Sequence, residues 1–553
     1  MAAAQAPRPD TAALLRQARR AEAGYEFSIR RNAPNRQSAS DGRECDEQVG
    51  RYCVIYDTGQ DTLPTEPARV ASARDSAIST LSRAYRLMPA NSRVAGSLSR
   101  LLVSAGRPAE AVEVARSYAR ASDRPDRHML LGFALHAAGQ TDAALEEFNA
   151  WLGALPLRER THIEDIRWLL SPAESRLVDR LSEDAHRAYV ARAWRFADPL
   201  YLTTGNELLA DHYARHALAR MLRNRPVVMG SESWGADVEQ LTIRFGAPVL
   251  VTRHYESGSL NSTPSYSEHW DPAGRAYFPP DRAAFDAVAR IDTIWPVDSL
   301  TARSGHAPPP IRLMRVLEHQ AVRLPGNQLI VAGSVQLDSA ARGRARPVGR
   351  VFVLDSLFEV LASAAARVTV LPDSVLVRSE IALPAGARFY SAELLDSTTW
   401  LAARARFLLP PAEVMPPLSL SGLLLCEQFG AGGLPLNRYD QRLRPLSRPV
   451  LAAGQQFGVY GEIISSAPTR RTIRVELETR SFDRGWAVAR LGAWIGSRLG
   501  FSKSAKSAKL SWTVEVEPSV ATPLALTIDA GRLAAGRYQV VVSARDPGAA
   551  AVV

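Results

Sequence analysis

The chain has 553 residues, 46% of them apolar and 22% charged, with a formal net charge of +10. That length accommodates about three or four domains, and that composition belongs to folded soluble protein rather than to a disordered or fibrous chain. The positive charge is nearly all arginine spread along the chain, with lysine only at Lys503, Lys506 and Lys509; no compact basic patch or binding motif supports a nucleic-acid partner, and no apolar run approaches the ~18 residues of a membrane helix, so no transmembrane segment is expected.

The start, Met1 to Asp10, lacks the apolar core of a signal peptide, yet its Ala-x-Ala followed by a Pro-rich polar stretch resembles the segment flanking a cleavage site. The expectation is an exported chain, periplasmic, envelope-associated or secreted, whose presequence is absent from this sequence. Leu14, Leu15 and Ala18 among arginines predict one helix over about 10–35. The polar stretch 36–66 reads as a loop around Cys45 and Cys53. In an oxidising compartment these two can form a disulfide; the alternative is two free thiols packed against Tyr52, Val54 and Ile55. No second Cys or His pair stands nearby at zinc-ligand spacing. Residues 1–66 thus form an N-terminal helix and a cysteine-containing loop.

From 67 to 193 a helical repeat emerges. SAGRPAEAVEVARSYARAS and AAGQTDAALEEFNAWLGALP align Gly106 over Gly139 and Ala111 over Ala144. An earlier copy, DSAISTLSRAYRLMPAN, puts Ala77, Ala84 and Pro89 in the same register as Ala111, Tyr118 and the end of that helix. Gly139 follows Gly106 by 33 residues, beside the ~34-residue tetratricopeptide period. These segments resemble tetratricopeptide repeats, in which small residues let helices approach and each pair buries its apolar face on the next. Ile163, Ile166, Trp168, Leu177, Leu181, Tyr189 and Trp194 continue the helical pattern as a bridge, with Ser171-Pro172 opening a new helix.

Residues 194–310 form the central module. Asp198-Pro199 favours an extended or turn conformation, and Thr203, Thr204 and Asn206 can each accept from free amides at the start of a helix over about Glu207–Leu222. Arg223, Asn224, Arg225 and Pro226 end it. Leu241, Ile243 and Phe245 alternate with Thr242 and Arg244, which predicts a half-buried strand closed by a turn at Gly246-Ala247-Pro248. The order Asp198-Pro199, Asn206-Glu207, Trp234-x-x-Asp237 and Arg244-Phe245-Gly246-Ala247-Pro248 resembles the GWxTD domain, a family of uncharacterised bacterial proteins. Ser233 and Ala236 stand where that signature has glycine and threonine. The resemblance marks Trp234, Asp237, Arg244, Gly246, Pro248, Asn206 and Glu207 as motif residues, structural or binding, and implies no established activity. Residues 253–310, rich in Ser, Pro, Tyr and Trp, read as a long irregular segment with a short helix near 281–289.

From 311 the period becomes two. Strands are predicted at 311–317, 328–337, 349–354, 357–362, 367–371, 375–382, 387–396 and 399–409, a first β-sandwich over 311–409. A Pro-rich linker (410–419) leads to a second sandwich over 420–548, with strands at 420–426, 456–464, 472–480, 510–517, 524–528 and 537–544. Leu491, Ile495 and Leu499 could hold a short amphipathic helix between them. The fold class is multidomain α+β: helical repeats, a central α/β GWxTD-like module and tandem sandwiches.

The chemistry-bearing residues are sparse. His212 and His216 share one side of a helix, but Tyr213 stands where a His-Glu-x-x-His zinc motif needs glutamate. There they read as hydrogen-bonded structural histidines. Gly230-Ser231-Glu232-Ser233 is not a nucleophile elbow, Gly430-Ala431-Gly432-Gly433 is not a P-loop, and Glu146-Glu147 reads as a solvated face. Asp237 reads as a carboxylate bonding nearby backbone amides beside a buried Trp234. No catalytic residue, metal or cofactor is assigned. The expectation is a non-enzymatic interaction protein meeting protein partners through its repeats and sandwiches. The rival is a hydrolase or metal-dependent enzyme using Asp237, His254, Glu268 or His269. Oligomeric state is left open.

Overall fold

The computed structural model describes residues 10–35, 47–54, 64–169, 175, 176, 178–223, 225, 228, 233–254, 265–269, 313–337, 342–399, 401–410, 414–415, 418–430, 433–447, 451, 455–481, 509–529 and 538–546. The chain is a mixed α+β protein that divides into two compact units, Met1–Arg315 with Trp400–Ala402, and Val316–Thr399 with Ala403–Val553.

The first unit is mainly helical. Helix α1 (Thr11–Arg31) is capped by Asp10, whose side chain accepts from the amides of Ala12 and Ala13. A hairpin of β1 (Glu47–Val49) and β2 (Tyr52–Val54) follows. Next come α2 (Ala68–Leu87), α3 (Ser92–Ser104), α4 (Pro108–Ala121), α5 (Asp126–Ala137), α6 (Thr141–Gly153) and α7 (Leu157–Glu164), then a 3-10 turn at Ile166–Leu169. α3/α4 and α5/α6 are equivalent hairpins. Gly106 and Gly139 both sit at positive φ (71° and 73°), where glycine alone is unstrained. Arg107 N–H reaches Leu102 O as Gln140 N–H reaches Leu135 O. The paired positions Ala111 and Ala144, and Tyr118 and Trp151, are all buried.

α8 (Glu183–Ala197), α9 (Glu207–Leu222) and α10 (Ala236–Phe245) complete the helices, with a hairpin of β3 (Leu250–His254) and β4 (Ser265–His269). α9 has the expected bounds, and most of its residues are buried. It packs against α3, α5, α6, α8 and α10. An apolar cluster including Leu81, Leu98, Leu101, Tyr118, Phe148 and Trp151 holds the hairpins to it, and a second gathers Ile166, Tyr189, Ala193, Leu208 and Ile243.

Three sequence expectations are corrected here. Residues 241–245 are the end of a helix, not a strand. Thr242 and Arg244, read as the solvent side of the alternation, are buried with Leu241, Ile243 and Phe245; Val238, Leu241, Thr242 and Phe245 carry the three-and-four spacing of a helix. The loop expected at 36–66 contains the β1–β2 hairpin, whose strands are too short to show a period. The segment after Arg253 contains β4, a strand of polar residues recognised only by its pairing with β3. The helices expected near 281–289 and 491–499, and the helix start at Ser171-Pro172, lie outside the described residues.

In the second unit all described pairings between named strands are antiparallel. After β5 (Leu313–Val316) come β6 (Glu318–Leu324), β7 (Gln328–Gln336), β8 (Val348–Leu354), β9 (Val360–Ala365), β10 (Arg367–Val370), β11 (Ser374–Ala382), β12 (Phe389–Asp396) and β13 (Leu401–Leu408). One sheet has the order β10-β11-β7-β6; in another β13, β12, β8 and β9 are successive neighbours. β14 (Val414–Met415), β15 (Leu418–Leu420), β16 (Leu424–Glu427), β17 (Gln456–Ser465), β18 (Arg471–Ser481), β19 (Lys509–Val516), β20 (Thr522–Asp529) and β21 (Tyr538–Arg545) follow. They form β14-β15-β17-β16, with β20 also on β17, and β19-β18-β21. β6 was not anticipated from the sequence: Glu318, His319 and Gln320 break its alternation, and Gln320 instead bonds the backbone of Leu425 at 2.7 Å.

Candidate functional site

Of the residues singled out from the sequence, Trp234 and Asp237 lie at the start of α10. Trp234 precedes the helix, half-buried, and packs against both apolar clusters of the helical unit. Asp237 lies in the first turn of α10, where free amides favour a carboxylate, and its Oδ1 accepts from Val238 N–H at 2.9 Å. Its main partner is Arg51, in the β1–β2 turn. Arg51 Nε donates to Oδ2 at 2.6 Å, Nη2 to Oδ1 at 3.1 Å, and the Arg51 amide to Oδ2 at 3.3 Å. Arg51 Nη2 also reaches Ser233 O at 3.2 Å. Hydrogen bonding to Arg51 holds the Asp237 carboxyl down to about 2. Gly50 turns the hairpin at φ +55°, and a Cβ there would collide with the Asp237 Cβ. Two residues after Arg51, Cys53 is disulfide-bonded; Cys45 lies outside the described residues, and Cys426 is a free, buried thiol.

The other residues singled out from the sequence lie at the start of α9 and at the end of α10. Asn206 caps α9, its Oδ1 accepting from Leu209 N–H at 2.9 Å while its Nδ2 donates to Trp194 O at 2.7 Å. Glu207 is buried and accepts from Thr203 Oγ1. Arg244 is buried with its guanidinium 5.1 Å from the Phe245 ring centre, and its carbonyl accepts from Arg215. Gly246 ends α10 at φ +79°, a conformation suited to glycine. Pro248 lines a small apolar groove with Tyr25, Ile29 and Val70.

The groups weighed as metal ligands or catalytic residues lie on α9 and on the β3–β4 hairpin. His212 is fully buried; its Nε2 donates to Ile163 O at 2.8 Å, and burial pushes its pKa down to about 4. His216 stacks edge-on against it at 4.6 Å and is held neutral by burial. On the β3–β4 hairpin, Glu268 pairs with Val251 and His269 with Leu250 in the backbone register, and His269 Nε2 meets Thr252 Oγ1 at 2.7 Å. The His254 side chain is outside the described set. Among the described residues no group of three or more His, Cys, Asp or Glu could hold a metal ion, and no helix is long and apolar enough to cross a membrane.

Sequence reasoning missed a cleft beside α10. About 1020 Å3 in volume, it is lined by α7, the 3-10 turn, α9 and α10, including Arg158, His162, Ile163, Arg167, His216 and Glu239. It also missed Arg51, whose only local signal was a glycine at the head of a two-residue turn between Val49 and Tyr52.

No protein-family model matches this chain, and no curated protein matches it. Among solved structures, a calcium-binding mutant of Bacteroides uniformis β-glucuronidase 2 is similar over 41% of this chain and 25% of its own, at 9% identity and a TM-score of 0.16. So low a TM-score carries no argument about fold or function.

Proposed function

We propose that the chain is an exported, non-enzymatic interaction protein. In this reading the helical hairpins are tetratricopeptide-like repeats, the stretch around Trp234 and Asp237 is a GWxTD-like core, and the strands of the second unit make tandem β-sandwiches that meet protein or envelope partners. The observation that carries it is the bidentate hold of Arg51 on Asp237. A general base or metal ligand needs a free lone pair and proximity to its co-reactants; this carboxylate is occupied by a guanidinium and two amides. The matched turns at Gly106 and Gly139 favour the repeat assignment.

The test compares the wild type with Asp237→Asn. Both are assayed for thermal midpoint and for turnover of ester, phosphate and glycoside substrates with and without added divalent metal, and both are used to capture partners that are then rebound as purified components. A contact protein shows a lowered midpoint in the variant, no turnover in either form, and saturable binding of a purified partner. Turnover that disappears in an Asp237→Asn protein of unchanged midpoint would overturn the reading.

A further inference from the structure

The cleft of about 1020 Å3 beside α10 contains charges that cancel in an uneven way. Each of its carboxylates is engaged. Glu159 pairs with Arg220 at 2.7 Å, Glu239 with Arg223, and Asp165 with Arg167 at 2.6 Å. Arg167 also bonds Asp179, which with Asp165 raises its own pKa further. The Thr161 hydroxyl is turned back to Leu157 O at 2.9 Å. Three nitrogen groups are left over. Arg158, exposed on α7, has no ion pair among the described residues. The His162 ring, exposed and edge-on to Trp168 at 4.9 Å, makes no hydrogen bond among them. His216 is 5% exposed with its Nε2 buried and unpartnered. A buried polar nitrogen left unpaired costs about 1–3 kcal/mol.

We propose that this cleft recognises a carboxylate-bearing segment of a partner protein, an acidic peptide whose side-chain or terminal carboxylate is taken by Arg158 and the imidazole of His162, beside the buried ring of His216. The proposal rests on the contact role argued above and names its chemistry. Charge complementarity selects the occupant: the cleft retains one unmatched guanidinium and no unmatched carboxylate. Size selects a peptide over a metabolite, since the volume stands at the top of the ~300–1,000 Å3 range of small-molecule sites and the cleft is open to solvent. Trp151 and Ile163, both largely buried, line the cleft and give the non-carboxylate part an apolar floor.

The experiment uses the full chain and fluorescently labelled peptides of equal length whose net charge runs from strongly negative to strongly positive, with free citrate as competitor. Affinity is expected to rise with peptide acidity, to fall with salt, and to drop roughly tenfold in Arg158→Glu, the scale of one lost charge-assisted hydrogen bond. Arg158 is exposed and has no ion pair among the described residues, so the variant is expected to keep the wild-type thermal midpoint. A His162→Ala variant should weaken binding as well. Binding indifferent to peptide charge, a preference for basic peptides, or unchanged affinity in Arg158→Glu overturns the proposal. Citrate binding as tightly as the acidic peptides overturns it in favour of a small organic acid. If the acidic peptides fail while a purified partner still binds the chain, the contact role stands and this cleft is not its site.

Discussion

Arg51 and Asp237, 186 residues apart in the chain, are joined by two side-chain hydrogen bonds of 2.6 and 3.1 Å. The pair ties a disulfide-bonded hairpin to the first turn of α10, directly beside the tryptophan that touches both apolar clusters. Removing either partner should therefore loosen more than one local contact. Arg51→Ala and Asp237→Asn are each expected to cost about 1–2 kcal/mol, the worth of charge-assisted hydrogen bonds near a surface. The double variant should cost little more than either single one. Urea unfolding of the four proteins checks this, and strict additivity would refute the pairing. Gly50→Ala should resemble Arg51→Ala, because its Cβ cannot fit against Asp237.

Inside the helical unit, Glu22 and Arg225 form a buried ion pair extended by Arg100, which meets Glu22 at 3.1 Å and Glu26 at 3.2 Å. Arg225 also donates to Ser97 Oγ and Met221 O, each at 2.8 Å. Burial lowers its pKa to about 10, so it remains charged at neutral pH. Breaking such a pair leaves the other charge buried. Glu22→Gln should lose roughly 3 kcal/mol of stability in the helical transition, read by far-ultraviolet circular dichroism in urea.

A second buried pair lies in the β unit, where Arg406 and Glu393 are completely enclosed, 3.1 Å apart, with Ser391 bonded to both. Glu393→Gln alone should cost roughly 3–5 kcal/mol, whereas replacing Glu393 and Arg406 together by apolar residues of similar volume should restore most of it. Equal loss in the single and joint variants would contradict this.

The imidazoles set a pH dependence. The folded chain keeps His212 neutral down to about 4, whereas the unfolded chain protonates it near 6.5. Unfolding therefore takes up a proton between those values, and stability falls as pH is lowered through that window. His319 in the β unit behaves alike, at about 4. At about pH 5.5 each ring should contribute roughly 1 kcal/mol of lost stability. His216, lowered in the same direction beside Arg223, His162 and His212, adds to it. Urea midpoints at pH 7.5 and 5.5 measure the slope; His212→Gln should reduce it for the helical unit.

Local pattern was enough for α9, whose cap Asn206 and basic C-terminal stop were legible in the residues, and for most strands of the β unit, because a period of two with turn residues is a short-range signal. It also aligned Gly106 with Gly139. It failed at 241–245, where apolar residues at every second position were also the inner face of a helix; burial on both sides erased the contrast that periodicity depends on. Polar β4 carried no such contrast at all.

Residue types and their spacing thus determined the mixture of helices and antiparallel strands. Only the tertiary structure decided what Asp237 does, because its partner Arg51 arrives from a remote hairpin. The same holds for the cleft. Whether an arginine there is paired or left over depends on side chains from α7, the 3-10 turn, α9 and α10 meeting in space, and no spacing along the chain encodes that.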